Sequence, residues 1–125
     1  MIGAFILVAA VATAKQPFTV VEASIPEMQA ALKSGRVTSV DLVQQYLDRI
    51  ATYEDKLHAA ITVNPKALEE AAELDRERKA GHIRGPLHGI PIALKDNILT
   101  TFMPTTGGAL AFDGYVPPYD ATITK

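Results

Sequence analysis

A lysine stands at the end of an apolar run, in a setting that could give its amine a chemical role. Ile90, Ile92 and Leu94 alternate with other residues just before Lys95, which predicts a strand that ends at a charged side chain. Desolvation disfavours the charged form of a lysine, and a neutral amine can act as a general base near neutral pH. Lys95 is therefore a candidate catalytic base; the alternatives are a solvated charge or an ion-pair partner of Asp96.

Cysteine and histidine, the residue types that most often bind zinc, are absent or few in this chain. The chain has no cysteine, so it forms neither a disulfide nor a thiolate metal site. The histidines lack the close spacing of a zinc-binding helix; they are His58, His82 and His88. We therefore predict no metal and no cofactor.

The three serines all precede the candidate base and all have structural explanations. They are Ser24, Ser34 and Ser39. The first has the position of a helix cap, the second precedes a glycine in a turn, and the third lies in the first turn of a helix. None lies in a G-x-S-x-G elbow, so the chain offers a base without an evident nucleophile.

Three ordered motifs resemble those of one enzyme family. Residues 85–97 read GPLHGIPIALKDN and are similar to the segment around the catalytic lysine of amidase signature enzymes. Residues 103–111, MPTTGGALA, resemble the loop that follows, and residues 116–122, VPPYDAT, resemble the stretch before the next helix. The resemblance extends from about residue 24 to residue 125. It places the chain with the N-terminal part of serine amidases, similar to amidotransferase A subunits and fatty acid amide hydrolases.

This resemblance implies both a fold and a reaction. The fold would be α/β, a mixed central sheet flanked by helices, with only the N-terminal helices and first strands present here. The reaction would be hydrolysis of the carbon–nitrogen bond of a small carboxamide by a Ser-cisSer-Lys relay, with Lys95 as the lysine. Thr105 and Thr106 would line the substrate side; alternatively, their hydroxyl groups cap loop backbone.

The same resemblance implies that parts of the relay lie elsewhere. The Gly/Ser-rich signature of the family comes later in its members than the segment matched by Lys125, so this chain would be inactive alone. Ala109 also stands where many members have a serine, which affects local hydrogen bonding in the loop. The alternative is a non-catalytic secreted binding or interaction module derived from an amidase.

Local patterns predict three helices and two strands. Ser24 with Glu27 and Thr38 with Asp41 have the form of capping boxes, and each predicts a helix start. A third helix is predicted from Asn64-Pro65 to Gly81. We predict strands at residues 59–63 and 90–94, and loops after residue 97, where Gly and Pro are frequent.

Charge and the N-terminal residues bear on partners and location. The formal net charge is -2 without a run of Lys or Arg, so we predict no nucleic-acid partner. Residues 1–14 have the apolar run and small-residue ending of a signal peptide, with residues 15–125 as the amidase portion. The run is too short for a stable membrane span. The predicted location is secreted or extracytoplasmic if the signal is real, and cytoplasmic otherwise.

Overall fold

The computed structural model describes residues 17–124, and the regular structure within this range is helical. Three α-helices come first: α1 (Ile25–Lys33), α2 (Ser39–Leu57) and α3 (Ala67–Lys79). Two short 3₁₀ helices follow, Leu110–Phe112 and Thr122–Thr124. None of the described helices is both long and apolar enough to cross a bilayer. The predicted signal peptide, residues 1–14, lies outside the described range.

Two predicted capping boxes form and begin α1 and α2. The Ser24 N–H donates to the Glu27 carboxylate at 2.8 Å, and the Glu27 N–H donates to Ser24 Oγ at 3.4 Å. Thr38 and Asp41 make the same exchange at 2.9 and 3.0 Å. Each box satisfies two N–H groups that a helix start leaves without a partner. The predicted starts of both helices are confirmed.

The core lies between α1, the first turns of α2 and the segment just before the candidate base. Leu42 on α2 has no exposed surface. The other buried apolar residues of this cluster are Val20, Met28, Ala31, Leu32, Val37 and Ile90. Ile90 therefore anchors the start of the 90–94 segment in the core. The C-terminal half of α2 is more exposed than its first turns, since Tyr53 is 45% exposed and Leu57 is 67% exposed.

Helix α3 packs against α2 and caps its N-terminus. The Asp75 carboxylate accepts from the N–H groups of Ser39 at 2.8 Å and Val40 at 3.1 Å. A carboxylate at this position satisfies two unpaired donors and complements the positive end of the helix dipole. These two bonds place Asp75 on the side of α3 that faces α2.

The start of α3 lies two residues after the predicted start at Pro65, since the first helical residue is Ala67. Asn64 does not cap the helix; its Oδ1 accepts from the Lys66 N–H at 2.9 Å within a turn. The helix then begins at Ala67, after Lys66, which makes no side-chain cap. Asn and Pro also favour turns, and this local preference prevails here.

The two predicted strands do not form in residues 17–124, so the described part confirms the helices of the α/β prediction but not its sheet. In the 59–63 segment, Ile61 is 68% exposed rather than buried. In the 90–94 segment only Ile90 is buried, and Ile92 and Leu94 are exposed. No N–H group from Ile92 to Leu94 bonds another main-chain group of the described residues. A strand requires a neighbouring strand for its hydrogen bonds, and these segments have none within this range.

The position of Leu42 leads to a stability prediction. Leu42→Ala should lower the free energy of unfolding by about 2–5 kcal/mol, because it removes apolar contacts and leaves a cavity. Leu110 is 89% exposed, so Leu110→Ala is the matched control and should change stability by less than about 0.5 kcal/mol. Urea denaturation followed by circular dichroism at 222 nm measures both. Equal effects of the two substitutions would contradict the core described above.

Candidate active site

Lys95 lies between the 90–94 segment, which has no regular structure, and a loop that is held by several hydrogen bonds. It is exposed, and its carbonyl accepts from the Ile98 N–H at 2.9 Å in a turn. Among the described residues, the ion pairs between Arg and Glu join Arg76 with Glu73 and Arg84 with Glu77. Lys95 forms no ion pair with a described residue, Asp96 included. The described residues do not bury its ammonium group.

The residue that follows, Asp96, is the centre of a hydrogen-bond network with the loop at 106–108. Its Oδ1 accepts from the Thr106 N–H at 3.0 Å, and its Oδ2 accepts from the Gly108 N–H at 3.2 Å. Oδ2 also accepts from the Thr106 hydroxyl, and the Asp96 carbonyl accepts from the Gly107 N–H at 3.0 Å. Three consecutive residues of the loop are thus bonded to Asp96.

This network changes the acidity of the carboxyl group. The hydrogen bond from the Thr106 hydroxyl, followed by that from its N–H, holds the pKa of Asp96 below its ordinary value. The Gly108 N–H and the positive charge of Lys95 act in the same direction, and partial burial opposes them. Donors that bond the ionised form of a carboxyl group favour that form. Asp96 is therefore bound as a carboxylate.

The two threonines that were predicted to bind substrate have different partners in this loop. Thr105 is 7% exposed, and its N–H donates to the Tyr115 carbonyl at 2.9 Å. Thr106 is half-buried, and its hydroxyl bonds Asp96. The structure therefore brings Thr106 beside the neighbour of Lys95. Whether either threonine touches substrate stays a prediction.

Sequence reasoning missed Asp96 as an organising residue. An aspartate before Asn and a threonine before Gly-Gly each have a local explanation as turn formers. The sequence signal that could have indicated this role was the combination of an aspartate with a later Thr-Gly-Gly. In the structure, Gly107 and Gly108 have positive φ angles of 57° and 75°. Backbone of this shape turns successive N–H groups toward one anionic acceptor.

A second network fixes the chain just before the 90–94 segment to α3. His88 is 6% exposed; its Nδ1 accepts from the Arg84 N–H at 3.3 Å, and its Nε2 lies 2.9 Å from the Leu74 carbonyl. This arrangement fits an imidazole with its proton on Nε2. The Arg78 guanidinium donates to the His88 carbonyl at 2.7 Å. His88 and Arg78 together hold the 84–90 turn against the helix.

Gly89, within this turn, approaches the buried start of α2. Its φ angle is 79°, and a Cβ atom at this position would lie 2.1 Å from Ser39 Oγ. Ser39 Oγ is buried and has no hydrogen-bond partner among the described residues. Only glycine fits both the backbone angle and the space.

A family model described as Amidase matches residues 41–125, about two thirds of the chain. The chain belongs to the amidase signature family. The resemblance carried by residues 85–97, 103–111 and 116–122 is therefore confirmed at the level of family, and Lys95 lies within the matched range.

Individual amidase-family proteins are similar over most of the chain. The glutamyl-tRNA(Gln) amidotransferase A subunit of Thermobifida fusca (strain YX) is 45% identical over 103 residues, which cover 82% of this chain and 21% of that protein. Its counterpart of the same name in Streptomyces coelicolor is 39% identical over 107 residues, covering 85% of this chain and 22% of the relative. Both relatives bear the name of one component of a larger enzyme.

A solved amidase shares the fold of this segment. The native peptide amidase from Stenotrophomonas maltophilia superposes with a TM-score of 0.76 at 48% sequence identity, covering 80% of this chain and 21% of that one. The peptide amidase has also been solved with the competitive inhibitor chymostatin. The chain spans about a fifth of the length of the relatives it matches.

The close approach at Gly89 is testable. Gly89→Ala should lower the free energy of unfolding by about 1–3 kcal/mol, because alanine is strained at this φ angle and its methyl group meets Ser39 Oγ. Gly85→Ala is the control, since nothing lies within 4 Å of the added carbon and φ is not positive there. Urea denaturation provides the comparison.

Removing the Ser39 hydroxyl separates the two causes of the expected loss at Gly89→Ala, the contact of the methyl group and the backbone strain. Ser39→Ala in the Gly89→Ala background should recover part of the loss, because it removes the nearest atom and leaves the backbone strain. No recovery would mean that the approach of Gly89 to Ser39 is not as described.

The acidity of Asp96 gives a pH-dependent prediction. Thr106→Val should raise the pKa of Asp96 toward its ordinary value, because the largest cause of the lowering is the threonine hydroxyl. A lowered folded-state pKa contributes stability that is present above the unfolded value of about 3.9 and is lost as pH falls through the folded value. At pH values above the unfolded pKa, Thr106→Val should therefore have a smaller free energy of unfolding than the unchanged chain.

NMR titration of the Asp96 side-chain carboxyl carbon measures the change. Thr101→Val is the control, because the Thr101 hydroxyl bonds a different carboxylate, that of Asp120, at 3.0 Å. If Asp96 titrates identically in Thr106→Val and in the unchanged chain, the Thr106 hydroxyl is not what lowers its pKa.

Proposed function

We propose that this chain supplies the general base, Lys95, for hydrolysis of the carbon–nitrogen bond of a carboxamide. The observation that carries this proposal is the family match over residues 41–125, which includes Lys95 and the run at 85–97. The structural similarity to a peptide amidase over the same segment supports it. No observation on this chain favours a non-catalytic module over an amidase.

The chemistry requires a base because a serine hydroxyl is a weak nucleophile. The amine of Lys95 would accept a proton through a bridging serine while a second serine attacks the amide carbonyl. The tetrahedral intermediate would be stabilised by preorganised N–H donors, and its collapse would release ammonia or an amine. The acyl-enzyme that remains would then be hydrolysed by water.

The serines of this chain do not fit the two relay positions. Ser24 is engaged in the capping box of α1, Ser34 Oγ donates to the Ala31 carbonyl at 3.1 Å, and Ser39 is fully buried. We therefore propose that both relay serines come from chain outside these 125 residues, and that the 125 residues alone are inactive. The exposure of Lys95 agrees with a base whose surroundings are completed by further chain.

The substrate class follows from the proposed chemistry. A small neutral carboxamide needs no extended basic surface, which agrees with the net charge of -2. We use a peptide amide as the test substrate, because the solved relative is a peptide amidase.

The test replaces the matching fifth of the Stenotrophomonas maltophilia peptide amidase by this segment and measures ammonia release from a peptide amide. Lys95→Met in that protein should lower kcat/KM by about 100- to 10,000-fold, the usual contribution of a general base. Lys56→Met is the matched control, since Lys56 is also an exposed lysine and lies in the last turn of α2. It should retain the activity of the unchanged replacement.

Chemical rescue makes this test specific for a base. Lys95→Ala should recover part of its activity when a small primary amine such as propylamine is added, because the amine can occupy the vacated space and accept the proton. A folded Lys95→Met protein with full activity would refute the role of Lys95.

A further inference from the structure

The chain around Lys95 is held unequally on its two sides. Before it, the N–H groups of Ile92 to Leu94 bond no main-chain group of residues 17–124. After it, the first hydrogen-bonded side chain is that of Asp96, which takes three donors from Thr106 and Gly108. The nearest side chain along the chain that is fixed by hydrogen bonds is therefore that of its immediate neighbour, and the Lys95 carbonyl is itself held by the Ile98 N–H at 2.9 Å.

The loop that holds Asp96 is itself fixed to later residues. The Thr105 N–H donates to the Tyr115 carbonyl, and the Ala121 N–H donates to the Leu99 carbonyl, both at 2.9 Å. The Thr101 N–H donates to the Asp120 carboxylate at 2.7 Å. The first of these bonds lies within residues 105–121, and the other two join that stretch to Leu99 and Thr101, so the loop that holds Asp96 is itself held on both sides.

We propose that Asp96 is a positioning residue for the reaction: by bonding the N–H groups of Thr106 and Gly108 and the Thr106 hydroxyl, it fixes the direction in which the adjacent Lys95 leaves the backbone. This inference rests on the proposed function. The aspartate acts through the lysine and does not touch the reacting atoms. Its carboxylate accepts three hydrogen bonds from the loop, so the role that we propose for it is geometry and not proton transfer.

The network uses both oxygens of the Asp96 carboxylate as acceptors. In Asp96→Asn one oxygen is replaced by an NH₂ group, which in either orientation of the amide faces an N–H group, that of Thr106 or that of Gly108, and cannot accept from it. The loop then loses part of its attachment while side-chain size stays the same. A shift of a catalytic group by about 1 Å is sufficient to lower a rate about 100-fold.

The kinetic test uses the peptide amidase that carries this segment. Asp96→Asn should lower kcat about 10- to 100-fold and leave KM within about threefold, because a misplaced base slows chemistry without removing substrate contacts. Thr106→Val should lower kcat in the same direction by a smaller factor, and Thr106→Ser, which keeps the hydroxyl, should restore the rate. Asp113→Asn is the matched control, since Asp113 is exposed and its substitution removes the same charge.

A double variant separates positioning from a general structural role. In the Lys95→Met background, Asp96→Asn should cause less than about a twofold further loss, because the residue through which it acts is already absent. A further 10-fold loss in that background would overturn the proposal, since the carboxylate would then act independently of Lys95.

The geometric step is tested in the 125-residue chain itself. The amide NMR signals of Thr106 and Gly108 should shift together with the titration of the Asp96 carboxyl group, and this coupling should vanish in Asp96→Asn. If the amide signals do not follow the carboxyl titration, the proposal is overturned. This result does not depend on the kinetic variants, so it holds even if one of them fails to fold.

Failure of the two proposals can be told apart. If Lys95→Met abolishes activity but Asp96→Asn leaves kcat unchanged, the positioning role is wrong and the proposed function stands. If Lys95→Met is fully active, the proposed function is wrong, and the positioning role falls with it even where the NMR coupling is present.

Discussion

The bond between the Asp75 carboxylate and the first N–H groups of α2 determines how the described residues fit together. A helix start leaves several N–H groups without partners, and a buried start is costly unless they are satisfied. Asp75 satisfies two of them from α3, which fixes that helix relative to α2. The 84–90 turn then docks on α3 through His88 and Arg78, and Ile90 enters the core. The position at which the lysine-bearing segment leaves the core depends on this sequence of contacts.

The sequence predicts well those features whose causes are local. The capping boxes at Ser24 and Thr38 each involve residues three apart, so their residue types are sufficient to place α1 and α2. The α3 start was less well placed, because Asn64 and its following proline serve a turn and a helix cap equally well. Helix ends therefore follow from sequence where one local use of a residue is favoured over the others.

Features that depend on distant partners could not be predicted in this way. The apolar residues at 59–63 and 90–94 have the pattern of strands, yet pattern alone supplies no neighbouring strand for hydrogen bonding. Asp96 and Thr106 are ten residues apart, and each has an independent explanation as a turn former. Their joint role became visible only when the structure brought the carboxylate to the N–H groups of the Gly-Gly loop. Family resemblance predicted a catalytic role for Lys95, but it did not predict the network beside it.

The unpaired segment before Lys95 has a consequence for register. Side chains alternate between the two faces of a strand, so Ile92 and Leu94 share one face while Ala93 and Lys95 share the other. A slip of one residue in pairing would exchange these faces. Any strand that pairs with this segment therefore also selects the side of the sheet on which the amine is presented. A pairing that buries Ile92 and Leu94 is favoured over one shifted by a residue, because the shifted pairing would bury the Lys95 ammonium group in their place.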